Sequence, residues 1–432
     1  MKTRLSPGLF SAIATCVLFV SSLSPAAAQV FAERFAELDQ NGDGQLDEAE
    51  AGERFFFQLA DEDKNKLVTT NELKKFLWKR QRQVADRIEE DLGPPLSAKA
   101  TFEARAESAA AYSKRHGGTS LVILEKGELV FEVYAEGVTA ESTFHIHSGT
   151  KGFWGVVVAA MIDDGLIASF DEKAAKTLTE WSGDPRRETI TLRELLQLNA
   201  GLGQDLVNLQ GHDRPTLADD LYQHAIGLPI WSKPGTRFAY GPSCYYALGA
   251  VLERKLKELE MNPLEYLESR ILTPISVEHG KWVHDHSGNP HIPNGAWITA
   301  RDWARFGQLL LDEGKWNGEE IISTERMREL REPSDPNPGH GLALWLNAKG
   351  GMPSAGQPYV PDPEAPGGFI FPDGETDLYA AMGKERNRLY VIPSKGLVIA
   401  RQAEKDRDSF QDREFLKRVF GIPEPEKEDS ES

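Results

Sequence analysis

Apolar and polar positions come in short strand-like runs at both ends of the chain and in helical spacing between them. Residues 121–124 and 129–134 flank Glu125-Lys126-Gly127-Glu128 and read as a β-hairpin, strand formers on either side of a glycine-bearing turn. Runs at 341–346, 377–382, 388–393 and 397–402 form a second strand-rich group, and 408–419 carries helical spacing. Between the groups, Gly155-Val156-Val157-Val158-Ala159-Ala160-Met161-Ile162 is apolar throughout and stops at Asp163-Asp164-Gly165. A helix apolar on every face is a buried one. Strands at both sequence ends with helices between predict an α/β (α+β) fold. Its core is one antiparallel sheet closed by its termini, flanked by helices, with a helical subdomain inserted.

The first hundred residues follow other rules. Lys2 and Arg4 precede an apolar run at 9–20, and Ala26-Ala27-Ala28 precedes Gln29. That order of charge, apolar core and small residues predicts a secretory signal peptide at 1–28, and the run is short for a membrane span. The chain is therefore expected to be exported, to the periplasm or the medium.

Next comes a twelve-residue pattern of the EF-hand kind. Asp39, Asn41 and Asp43 take the first three oxygen-ligand positions, Gly44 the sharp turn and Gln45 the backbone-carbonyl position. Asp47 takes the water-mediated position and Glu50 the bidentate one. Phe31, Phe35 and Leu38 give the incoming helix an apolar stripe. A second loop starts at Asp61, with Asp63 and Asn65 as the next ligands, Leu67 at the carbonyl position, Thr69 at the ninth and Glu72 at the last. Lys66 replaces the turn glycine there, which adds backbone strain and a positive charge. Leu46 and Val68 fall where a short β-pair couples two such loops. Structural calcium is the expected cofactor. A helix from about 70 to 92 ends at Gly93-Pro94-Pro95. The expected division is a leader at 1–28, an EF-hand pair at 29–78, a helical extension and linker at 79–100, a main domain at 101–423 and an acidic tail at 424–432.

Composition narrows the partners. The chain has 432 residues and a formal charge of −18, which argues against nucleic acid and anionic membrane surfaces. It has two cysteines, and Cys16 lies in the leader. Cys244 then has no intrachain partner, so stability rests on the core.

Ser148 and Lys151 stand three residues apart at the entrance of the buried helix, in His147-Ser148-Gly149-Thr150-Lys151. That spacing puts both on one face, and a desolvated amine is one means of activating a serine hydroxyl. The helix N-terminus adds free N–H groups and a positive dipole end. His145 and His147 read as structural, and His284 and His286 lack further ligands at zinc-like spacing.

Ser-Gly-Thr-Lys before such a helix resembles the first motif of the serine hydrolases related to class C β-lactamases and DD-peptidases. Three further segments match in order: 189–202 (Thr-Ile-Thr-Leu-Arg-Glu-Leu-Leu to Asn-Ala-Gly-Leu), 233–240 (Lys-Pro-Gly-Thr-Arg-Phe-Ala-Tyr) and 299–307. The resemblance covers about 101–420 and implies the sheet-and-helix architecture above. It also implies that Tyr240 is a general base, its phenol pKa lowered by the lysine. Two positions depart from the family. Pro242 stands where a Tyr-x-Asn motif has its asparagine, with Ser243 as a partial replacement. Ala381-Met382-Gly383-Lys384 replaces a Lys/His-Thr-Gly, removing the cation that grips a substrate carboxylate; Lys384 or Arg386 is the available substitute. Aligned this way, the Lys384 N–H joins that of Ser148 as an oxyanion hole.

Two readings follow. One is an exported calcium-binding serine hydrolase that cleaves an ester or amide through an acyl-serine, its catalytic residues Ser148, Lys151, Tyr240 and Lys384. The other is a catalytically inactive, calcium-dependent binding or scaffold protein on the same fold.

Overall fold

The computed structural model describes residues 92–205, 218–348, 370–404 and 410–422, together with 39, 41, 43–47, 50, 60, 61, 63–69, 72 and 76. The expected leader, most of the helices flanking the two acidic loops, and the tail at 424–432 lie outside the described residues.

The two acidic loops meet through a short antiparallel ladder, β1 (Gln45–Asp47) with β2 (Leu67–Thr69). Leu46 pairs with Val68, and both are fully buried. Gly44 has φ +79°, and Lys66 takes the same left-handed turn at φ +66°.

The main sheet begins after helix α1 (Phe102–Arg115), which Thr101 caps by accepting from the Ala104 N–H. Strands β3 (Gly118–Glu125) and β4 (Glu128–Tyr134) form the expected hairpin, tightened by Lys126 at φ +50°. A two-residue strand, β5 (Phe144–His145), leads into a 3₁₀ turn, His147–Thr150, and then helix α2 (Lys151–Asp163). All of α2 from Lys151 to Met161 is buried, as its unbroken apolar run requires. Helix α3 (Ser243–Leu256) belongs to the inserted helical region. Strands β6 (His279–Trp282) and β7 (Ala296–Ile298) join β5 in a small sheet, ordered β5-β7-β6. Helix α4 (Ala300–Leu311) follows, capped by Thr299.

The chain returns through β8 (Trp345–Leu346), β9 (Tyr379–Met382), β10 (Arg388–Ile392) and β11 (Leu397–Ala403) and ends in α5 (Asp412–Phe420). The six-stranded antiparallel sheet has the order β8-β9-β10-β11-β3-β4, so the last strand pairs with the first, Ile399 opposite Ile123. One face carries α4, where Gly307 allows close approach: a Cβ there would lie 2.5 Å from Val398. α1 and α5 pack together. The segment after the proline link is fastened to residue 422: the Ala98 N–H donates to the Ile422 carbonyl at 3.0 Å, and the Ile422 N–H donates to the Leu96 carbonyl at 2.9 Å.

One expected strand is shorter than its pattern. Only Trp345–Leu346 of the run at 341–346 is extended, because Gly341 donates to the Leu344 carbonyl and Ala343 sits at φ +73°. That local turn competes with the ladder and prevails.

Candidate active site

Ser148 lies in the 3₁₀ turn between β5 and α2, and Lys151 is the first residue of α2. His147 enters this turn at φ +49°, a left-handed conformation that non-glycine residues adopt at a cost and that clusters at functional sites. In a 3₁₀ turn, residues three apart lie one above the other. The Lys151 Nζ is 3.1 Å from the Ser148 Oγ and donates equally closely to the Pro293 carbonyl, at 3.1 Å. It sits over the Tyr240 and Tyr245 rings, 5.1 and 5.3 Å from their centroids. Lys151 is 6% exposed and has no carboxylate at ion-pair distance among the described residues. Burial alone lowers its pKa to about 7.

Tyr240 arrives from the loop before α3, and its phenol lies near enough to Ser148 for the serine to pull its pKa downward. Its ring lies 5.7 Å from that of Trp345. The family resemblance implies a lowered phenol pKa; this structure has it raised. Burial outweighs the influence of Ser148 and the charge of Arg388, which pull the other way. The lysine is the group whose proton is loosened. Behind them His340, 1% exposed, lies against Phe238 and Trp345; burial and the Lys151 charge hold its pKa down at about 3, so it is neutral.

The third motif closes the opposite side. β9 ends beside the serine turn: a Cβ on Gly383 would lie 2.0 Å from the Ile146 carbonyl oxygen and 3.1 Å from the Gly149 nitrogen. Glycine is needed here for close approach, since its φ of −123° is ordinary. Neither the Ser148 nor the Lys384 N–H donates to another backbone group among the described residues. Ala381 is buried, and its Cβ would be 3.0 Å from one placed on Gly152, so it packs on α2 as an apolar residue. The Lys384 ammonium is turned to Glu385, 3.3 Å away.

Gln204 is the residue that motif reasoning missed. Its side chain fills the space beside Gly241, where a Cβ would meet its Oε1 at 1.8 Å. It accepts from Ser243 Oγ at 3.1 Å, and its Nε2 is 3.4 Å from the Ala239 carbonyl. Ser243 is fully buried, and its hydroxyl is committed to Gln204, so it does not stand free to replace the amide that Pro242 removes. A glutamine right after Gly201-Leu202-Gly203 was the only sequence signal.

The histidines near the serine and at 284–286 have protein partners. His145 Nε2 is 2.5 Å from the Asn294 carbonyl, and its ring stacks on Trp297. His284 Nδ1 bonds the Trp282 carbonyl, and His286 pairs with Asp219.

In the acidic loops, Asp39 accepts from the Asp43 and Gly44 N–H groups, and Asp61 accepts likewise from Asn65 and Lys66. Asn41 and Asp43 cap the turn of the first loop. The Glu50 carboxylate takes the Asn41 and Asp47 N–H groups, and that of Glu72 takes the Thr69 N–H and hydroxyl. In the second loop the carboxylate oxygens of Asp61, Asp63 and Glu72 lie within 4.8 Å of one another.

A serine paired with a desolvated lysine, on an antiparallel sheet closed by the chain's ends, defines the serine hydrolases of the β-lactamase fold. The profile of the family described as Beta-lactamase matches residues 63–418, and the chain belongs to that family. Its members are serine hydrolases that act through an acyl-serine. An uncharacterized protein of Mycobacterium tuberculosis is 23% identical over 294 residues, 53% of this chain and 71% of its own. The 6-aminohexanoate-dimer hydrolase of Paenarthrobacter ureafaciens is 25% identical over 218 residues, 47% of this chain and 54% of its own. Among solved structures, EstCE1, a hydrolase with promiscuous acyltransferase activity, superimposes with a TM-score of 0.56 at 16% identity, covering 74% of this chain and 99% of that one. At that identity the likeness speaks for the fold. No helix among the described residues is long and apolar enough to cross a membrane.

Proposed function

We propose that this protein is an exported hydrolase of small esters or amides, with Ser148 as nucleophile and Lys151 as the base that activates it. The observation that carries this reading is the 3.1 Å contact between Ser148 Oγ and a buried amine whose pKa has fallen to about 7. Near neutrality a large share of that amine is unprotonated. It takes the Ser148 proton as Oγ adds to the substrate carbonyl, and the developing oxyanion is met by the N–H groups of Ser148 and Lys384. Tyr240, held protonated, gives its proton to the leaving oxygen or nitrogen and is reprotonated from the Lys151 ammonium. Water then enters by the reverse path and releases the acid. Gln204 is placed to orient a polar group of the substrate, in the part that an asparagine at 242 would play. The binding-only alternative gains nothing from a serine, amine and phenol brought into contact.

Hydrolysis of a chromogenic short-chain ester tests the reading. Turnover abolished in Ser148→Ala is expected; equal turnover in that variant would sink it.

Calcium is proposed as a structural cofactor of the N-terminal loops. The Leu46–Val68 pairing, the left-handed residue at the turn of each loop and the convergence of Asp61, Asp63 and Glu72 support it. Carboxylates this close repel one another unless a cation joins them. In the first loop Asp39, Asn41, Asp43, the Gln45 carbonyl and Glu50 would hold the ion; in the second, Asp61, Asp63, Asn65, the Leu67 carbonyl and Glu72 would. Export rests on the charge and apolar pattern of residues 1–28.

A further inference from the structure

The turn between β9 and β10, residues 383–387, is held from beneath by two side chains that no hydrolase motif contains. Asn387 is fully buried and Arg388 is 2% exposed. The Asn387 amide donates to the Lys384 carbonyl at 2.8 Å, to the Ala403 carbonyl at 3.2 Å and to the His145 carbonyl at 3.4 Å. Its Oδ1 accepts from the Ala403 N–H at 3.1 Å, and its own carbonyl accepts from the Gly383 N–H at 2.9 Å. The Arg388 Nη1 donates to the Gly383 and Asn387 carbonyls, each at 3.0 Å. Its other nitrogens grip Asp412 of α5 at 2.7 and 3.3 Å, and Asp412 also accepts from the Tyr390 hydroxyl. Arg401 adds a bond to the Arg386 carbonyl at 2.7 Å.

Two features show that this turn is over-determined and not merely tied. Glu385 and Arg386 are consecutive non-glycine residues at φ +58° and +57°, a conformation that persists only where the surroundings enforce it. The carbonyls of 383, 384, 386 and 387 are all engaged, whereas the Lys384 N–H donates to nothing among the described residues. Through the His145 carbonyl, Asn387 also joins this turn to the strand that delivers Ser148.

We propose that Asn387 and Arg388 are positioning residues for acyl transfer, fixing the Lys384 N–H relative to Ser148 where the family's usual cation is replaced by Ala381. The proposal rests on the acyl-serine reading above. Its physical basis is the steep geometric dependence of an oxyanion contact: a donor displaced by about 1 Å costs up to about a hundredfold in rate. Neither side chain needs to touch substrate.

The test compares Asn387→Asp and Arg388→Lys with the native enzyme. The first keeps size and the bond accepted from the Ala403 N–H but loses both N–H donors, including the one to the Ala403 carbonyl; the second keeps the buried charge facing Asp412 but loses the fork that reaches Gly383. The expected result is a fall in kcat of about 10- to 100-fold with KM changed less than about twofold. Affinity for a boronic acid, which mimics the tetrahedral adduct, falls by the same factor as kcat, while a fluorophosphonate still labels Ser148. Folded variants with native kcat and native boronate affinity would overturn the proposal. A native enzyme that never labels would instead end the acyl-serine reading, a distinct result. If neither variant folds, amide exchange on the native protein decides: the Gly383, Asn387 and Ala403 amides should exchange as slowly as central β11, and rapid exchange at Gly383 and Asn387 would refute the clamp.

Discussion

A lysine that is 6% exposed and has no carboxylate at ion-pair distance among the described residues holds its proton weakly. Below pH about 7 the Lys151 ammonium cannot accept the Ser148 proton; above it the neutral amine can. Activity should therefore rise with pH through about 7 as a single ionisation and level off, because the raised Tyr240 phenol adds no loss in the neutral range. A kcat/KM profile that is flat through neutrality, or that falls there, would show that Lys151 is not the base. Lys151→Ala and Tyr240→Phe should each lower kcat by about 10²- to 10⁴-fold, with the double variant little worse than either, since they act on one proton. Independent, additive losses would assign one of them to packing alone. Ser148 and Lys151 were legible in the sequence because their contact needs only three residues of helical spacing. The Pro293 carbonyl and Gln204 were not, since distant loops bring them in. The direction of the Tyr240 shift was misjudged for a related reason: pairing is visible in a motif, but the depth of burial is not.

At the scale of elements, the second hairpin strand and the last two strands were legible to within a residue, because strand formers there are cut off by glycine and proline turns, whereas β3 begins at Gly118, three residues before the apolar run at 121–124. The run at 341–346 was not, since a three-residue turn at Gly341 interrupts an otherwise extended pattern. The acidic loops came through in their β-pair, Leu46 opposite Val68. The lysine at 66 turns out to adopt the same left-handed turn as Gly44. Calorimetric titration with calcium should give saturable binding that Glu50→Gln and Glu72→Gln each weaken. Chelation should lower the melting temperature of the N-terminal part while changing ester turnover only modestly, because the proposed chemistry uses no residue before Ala100. Absence of any calcium heat, or a loss of turnover that calcium alone restores, would contradict the assignment.

For the molecule as a whole, the two ends of the main domain build the sheet from which the site hangs. β3 pairs with β11, and the segment at 96–98 is bonded to Ile422. The core that results places the apolar Ala381 against α2 and turns the Lys384 ammonium toward Glu385, so neither of these two described residues offers a free cation to a substrate carboxylate. Penicillins and cephalosporins should therefore turn over far more slowly than simple esters in a side-by-side kinetic assay; efficient cephalosporin hydrolysis would show that another cation grips the carboxylate. The central claim, that Ser148 is acylated with the help of Lys151, is tested most directly by treating the native protein with a fluorophosphonate and locating the adduct by peptide mass spectrometry. The account predicts one adduct, on Ser148, formed faster as pH rises through about 7 and absent in Ser148→Ala. An adduct on another residue, or none on the native protein, would contradict it.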